Sequence, residues 1–103
     1  MTIDELAQKC FESAKAKGFW DAERNFGESI ALMHSELSEA LEGYRKDRKD
    51  DHLPQYDQWQ VELADAIIRI LDWCGAKQVP IQEIIDAKMD YNSNRPYRHG
   101  AKF

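Results

Sequence analysis

The stretch WQVELADAIIRILDW, residues 59–73, decides the fold. At about 100° per residue, Trp59, Leu63, Ala66, Ile67, Ile70 and Cys74 share one broad apolar face, and Val61, Ala64, Ile68 and Leu71 cover most of the rest. The polar gap is a narrow stripe of Gln58, Glu62, Asp65, Arg69 and Asp72. A helix apolar on nearly every side is predicted to be buried. Carboxylates on such a helix are costly unless a positive charge meets them, so Glu62 and Asp65 call for a counter-charge.

Three more helices are legible around this one. Thr2 and Glu5 form a T-x-x-E capping box, Ile3, Leu6, Ala7, Cys10, Phe11 and Ala14 follow at helical spacing, and Gly18 suits a C-terminal stop, giving a helix over 3–17. The connection 18–25 holds Phe19 and Trp20, two adjacent aromatics that either plug the end of a bundle or stack on a ligand. A second helix is predicted over 27–46, with Ile30, Met33, Leu37, Leu41 and Tyr44 as its core stripe. Glu36 and Glu39 flank that stripe on its enclosed side, with open space expected beside Gly43. The loop 47–57 contains Pro54 and mixed charges that look solvated, and it lacks the central Gly and final Glu of an EF-hand. The third helix is expected to stop at Gly75, and Pro80 suits the first turn of a fourth that runs to about residue 91. The tail, 92–103, is not periodic; it carries Arg95, Arg98, His99 and Lys102 and no acid.

The totals bound the function. One all-α domain, 1–103, four-helix-bundle-like, is expected at this length, with oligomerisation helping to cover surplus apolar surface. A net charge of −5 argues against a nucleic-acid surface, which is usually basic. No apolar run reaches the ~18 residues of a membrane span, and the first ten residues hold no signal-peptide core, so cytoplasmic residence is expected. Cys10 and Cys74 lie on apolar faces and read as buried free thiols. Without CxxC, HxxxH, GxSxG or a Gly-rich phosphate loop, nucleophilic and zinc chemistry have little to stand on.

What remains is acid chemistry. Glu36 and Glu39 share a helical face, and Glu62 and Asp65 repeat the spacing on the next helix. Such pairs are either ordinary solvated acids, with Arg69 answering Asp65 at i,i+4, or they converge. Four converging ionised carboxylates would repel by several kcal/mol in a semi-buried site, and a hard divalent cation removes that cost. Oxygen ligands select Mg²⁺ or Mn²⁺, and the missing E-x-x-H disfavours di-iron. A metal cluster together with Lys88, Arg95 and Arg98 fits a polyphosphate ligand.

The pattern E-x-x-E at Glu36 and Glu39, E-x-x-D at Glu62 and Asp65, and K-x-x-x-N-x-x-R-P-Y from Lys88 through Asn92 and Arg95 to Tyr97 resembles the MazG-like branch of the all-α NTP pyrophosphatase superfamily, over residues 18–103. The resemblance implies a homodimer or homotetramer. It also implies Mg²⁺-dependent hydrolysis of nucleoside triphosphates to monophosphate and pyrophosphate, with a metal-activated water attacking the α-phosphorus. It assigns Glu36, Glu39, Glu62 and Asp65 as metal ligands and catalytic groups, and Lys88, Asn92 and Arg95 as phosphate contacts. Trp20 is assigned to stack on the base, and Arg98 joins the substrate contacts by charge alone. Ser35 stands where many relatives carry another acid. Nucleotide pool sanitation is one role such an activity would serve. The rivals are a sister activity on another nucleotide, such as phosphoribosyl-ATP or dUTP, and a non-catalytic helical adaptor or antitoxin-like protein that kept the bundle.

Overall fold

The computed structural model describes residues 1–100 and 102; the side chain of His99, and residues 101 and 103 of the basic tail, lie outside the described residues. The elements are α1 (Ile3–Ala16), α2 (Phe26–Arg45), α3 (Gln58–Ala76), α4 (Ile81–Ser93) and a 3₁₀ turn, Tyr97–Gly100. No strand occurs among the described residues, only an isolated bridge between Lys49 and Asp57. Among the described residues no helix is long and apolar enough to cross a membrane.

Local chemistry sets the helix ends. Thr2 Oγ1 accepts from Glu5 N–H and Glu5 Oε1 accepts from Thr2 N–H, both at 3.0 Å, so the capping box forms. Asn25 caps α2 through Oδ1, which accepts from Glu28 N–H. At the end of α1, Gly18 takes φ +88°, and Phe19 N–H and Gly18 N–H donate to Ala14 O and Lys15 O, a Schellman closure. Helices α2 and α3 close the same way through Asp47 and Gln78, both at positive φ.

Helix α3 is central: α1 and α2 both pack along it, and α4 leans on α1. The core at the α1–α3 crossing is Ala7, Leu71 and Cys74, with Ile3, Cys10, Val79 and Ile81 against it. Gly75 is not a helix stop, as its residue type suggests; α3 runs through it. A Cβ there would lie 2.3 Å from Ala7 O, so Gly75 is the point where the two backbones touch. The space expected beside Gly43 is filled as well, since a Cβ would meet the Gln58 side chain at 2.9–3.0 Å.

The burial expected of the two long helices is corrected as well: the core stripe predicted for α2 is 48–67% exposed at Leu37, Leu41 and Tyr44. Helix α3 is not buried on nearly all sides: Leu63, Ile67, Ile68 and Ile70 are 39–54% exposed. The reason is the packing order, since the helices of one chain form a row, α2–α3–α1–α4, and nothing in that row covers the remaining side of α3. The radius of gyration, 16.1 Å, exceeds the ~13 Å of a compact chain this long.

Gly75→Ala gives a signed test of the α1–α3 contact. Inside a free helix the change would stabilise by up to ~1 kcal/mol; here the clash with a backbone carbonyl is expected to cost about 1–3 kcal/mol net, read by urea unfolding. Stabilisation instead would mean that the helices do not cross so closely.

Candidate metal centre and adjoining groove

The packing of α2 on α3 brings three of the four expected carboxylates together. Oxygens of Glu36, Glu62 and Asp65 lie within 4.8 Å of one another, as ligands around one ion would. Glu36 is buried, whereas Glu62 and Asp65 are half-buried. Glu39, one turn along from Glu36, is exposed, yet near enough for its charge to act on Glu62 and Asp65. The two acids of α2 are therefore not equally enclosed, as their shared flank of the helix suggested.

The counter-charge is also not where i,i+4 spacing placed it. Arg69 Nε donates to Glu36 Oε1 at 2.8 Å, across the helix pair, rather than pairing with Asp65 on its own helix. One guanidinium does not answer this many carboxylates. Glu62 Oε2 is fully buried and, in its ionised form, has no donor. Burial first, then proton sharing with Glu36 and Glu39 and their negative charges, push the Glu62 carboxyl up to about 8. Burial and the charge of Glu36 push Asp65 up too. Burial also opposes ionisation of Glu36, but the hydrogen bonds it accepts from protonated Glu62 and from Arg69 outweigh it, so its carboxyl sits below the ordinary value. Crowded acids at this seam thus favour keeping one proton among them. The three carboxylates offer an all-oxygen donor set that could hold a metal ion.

Beside the cluster runs an open groove of about 760 Å³. Glu36, Asp65 and Arg69 line one part of it, Lys17, Arg24 and Asp72 another, and Leu6, Cys10, Ala14, Leu32, Ile68 and Phe19 supply apolar walls. Arg24 and Asp72 form an ion pair at 2.6 Å whose side chains are only 16% and 8% exposed. Asp72 Oδ1 accepts from Trp20 Nε1 at 2.8 Å, and the Arg24 guanidinium lies 4.5 Å from the Trp20 ring. Trp20 also meets Phe11 and Trp73, at ring separations of 5.6 and 6.0 Å. Of the two adjacent aromatics, Trp20 is the plug and the exposed Phe19 is the ring on the groove.

The remaining substrate candidates are elsewhere. Lys88 and Asn92 lie on α4, Arg95 just past it and Arg98 in the 3₁₀ turn, and none lines the groove. The cations of Lys88 and Arg95 sit over the Tyr91 ring, at 4.7 and 5.7 Å. Spacing rules did not single out Arg24, because its partner Asp72 is 48 residues away and no local signal joins them. Both cysteines are free thiols, as expected, Cys74 buried and Cys10 half-buried. No protein-family model, no curated protein and no solved structure matches this chain.

The proton on Glu62 carries a pH signature in the metal-free chain. Its pKa rises on folding from the ordinary 4.5 to about 8, so over that window the folded state holds a proton the unfolded state has released. That stability is complete below the unfolded value and is lost as pH rises through the folded one; Asp65 acts in the same sense. The lowered Glu36 acts oppositely, its contribution being lost on acidification. In chelator, the melting temperature is expected to fall as pH is raised from about 5 to about 9, and Glu62→Gln should remove most of the fall. An unchanged slope in Glu62→Gln would place the proton elsewhere.

Proposed function

We propose that this chain is a divalent-cation-dependent nucleoside triphosphate pyrophosphohydrolase of the MazG-like kind. The observation that carries the reading is Glu62 Oε2, a buried carboxylate oxygen with no donor, on a residue that clusters with Glu36 and Asp65 beside a groove those two line. Repulsion of this kind costs the fold stability unless a ligand relieves it. The E-x-x-E, E-x-x-D and K-x-x-x-N-x-x-R-P-Y pattern supports the same reading.

Glu36, Glu62 and Asp65, with Glu39 beside them, would hold the cation. When bound there, it supplies charge neutralisation for a triphosphate and a lowered pKa for water. The chain's own groups do the rest. A carboxylate of the cluster accepts the proton of the water that attacks the α-phosphorus, with pyrophosphate as leaving group. The apolar walls at Leu32, Ile68 and Phe19 would receive the base. Lys88, Asn92 and Arg95 meet the phosphates of a nucleotide held by a neighbouring copy, because α4 of one chain leans on α1 and its cations do not line that chain's groove.

A homodimer or larger assembly belongs to this reading. Leu37, Leu41 and Tyr44 on α2, and Leu63, Ile67 and Ile70 on α3, form exposed stripes at helical spacing. These stripes equally favour a second reading, a non-catalytic adaptor. A melt with and without Mg²⁺ separates the two, since an adaptor gains nothing from the ion.

Two outcomes are expected. Pyrophosphate release from a panel of normal and modified nucleoside triphosphates requires Mg²⁺ or Mn²⁺, and Asp65→Asn lowers it more than about 100-fold, since even changes around a metal's ligands cost 10–100-fold; near wild-type turnover in that variant removes the metal assignment. Ile67→Glu, measured by sedimentation, yields monomers while wild type sediments as a dimer or tetramer. Wild type sedimenting as a monomer removes the assembly.

A further inference from the structure

Three cations line the groove, Lys17, Arg24 and Arg69, and they are not equivalent. Arg24 is spent on Asp72 and packed over Trp20. Lys17 is exposed at the end of α1. Arg69 makes one hydrogen bond among the described residues, from Nε to Glu36 Oε1, and its side chain is 37% exposed. Its Nη1 and Nη2 donate to nothing there. A guanidinium held through Nε keeps its two-pronged edge for a second planar or tetrahedral anion.

The placement is specific. Arg69 lies one helical turn beyond Asp65 on α3 and is tied to Glu36 on α2, so one of the three converging carboxylates holds it beside the cluster. With Oε1 of Glu36 given to Arg69, the other oxygen stays available to the cluster. A guanidinium beside a bound divalent cation is repelled by it. An anion lying between them turns that repulsion into two attractions.

We propose that Arg69 is the groove's anion contact: it binds a phosphate or pyrophosphate group that a cation held by Glu36, Glu62 and Asp65 draws in. The inference rests on the metal reading above and adds a substrate-contacting residue that the E-x-x-E, E-x-x-D and K-x-x-x-N-x-x-R pattern does not contain. It predicts different responses for two ligands. Without Arg69, the cation alone loses a repelling neighbour, whereas the cation with its anion loses a partner.

The test is calorimetric titration of the full chain with Mn²⁺ alone, and with inorganic pyrophosphate in excess Mn²⁺, for wild type, Arg69→Gln and Arg69→Lys, with a metal-free melt of each to report folding. In Arg69→Gln, pyrophosphate affinity is expected to fall by about tenfold or more, the scale of a charge-assisted contact. Affinity for Mn²⁺ alone is expected to hold or rise. Arg69→Lys, which keeps the charge without the fork, should fall between the two. An equal loss for both ligands would make Arg69 only a support for Glu36 and overturn the proposal, as would unchanged pyrophosphate affinity. A wild-type chain that takes up no Mn²⁺ overturns the metal reading itself and this inference with it, a result distinct from the other two.

Discussion

Close approach at small residues governs this molecule. Ala40 and Gly43 on α2 and Ala66 on α3 are buried, and there is no room for a Cβ at Gly43 beside Gln58. On the other flank of α3, Gly75 lies against the backbone of Ala7. Helix α3 therefore meets the α1 backbone at Gly75 and lays its Gln58 side chain against Gly43 of α2, and among the described residues no large side chain is fully buried. Close helices bring their polar stripes close as well. That is why Glu36 on one helix reaches Glu62 and Asp65 on another, where a Leu or Phe in the seam would have held them apart.

Two sets of buried acids on α3 meet different fates, and the contrast is informative. Asp72 accepts from Trp20 through one oxygen and from Arg24 through the other, so neither oxygen lacks a partner. It is a structural carboxylate, stabilised within the fold. Glu62 sits ten residues earlier on the same helix and has an oxygen with no donor at all. The fold is able to satisfy a buried acid, and at Glu62 it does not. A proton fills the gap when nothing else does, which is the physical content of a carboxyl pushed up to about 8.

The sequence made much of this legible, and its failures have identifiable causes. Four helices, the Thr2–Glu5 cap and the Gly18 closure follow from local periodicity and from residues with special backbone freedom, and local signals are what a sequence carries directly. The carboxylate trio was legible because spacing of three on two successive helices needs only one further condition, that the helices pack together. Pairing was less so. Arg69 could be assigned to Asp65 by spacing, but the choice of Glu36 depends on how α2 lies on α3. The Arg24–Asp72 pair joins groups 48 residues apart, and no period links them. Gly75 shows the same limit in a single residue: a glycine near a helix end looks like a stop, and only the position of Ala7 reveals it as a contact. Exposure along α3 failed for another reason. Apolar residues all round a helix show that every side is to be covered, without showing whether the cover belongs to the same chain.

That last point connects the two shortfalls of one chain. The row α2–α3–α1–α4 leaves Leu63, Ile67 and Ile70 uncovered, and Lys88 of α4 and Arg95 just past it lie off the groove. A closed four-helix arrangement within the chain would cover α3 with α4, but the packing of α4 on α1 occupies it elsewhere. Under the proposed function, a second copy resolves both shortfalls at once: its helices would cover the open side of α3, and its Lys88 and Arg95 would approach a phosphate chain in a groove they do not line at home. Arg69 would then be the cation each chain supplies to its own site, fixed in place before any partner arrives. The anion would be met from one side by the helix that carries the metal ligands and from the other by the neighbour, so that assembly and substrate binding depend on the same uncovered face.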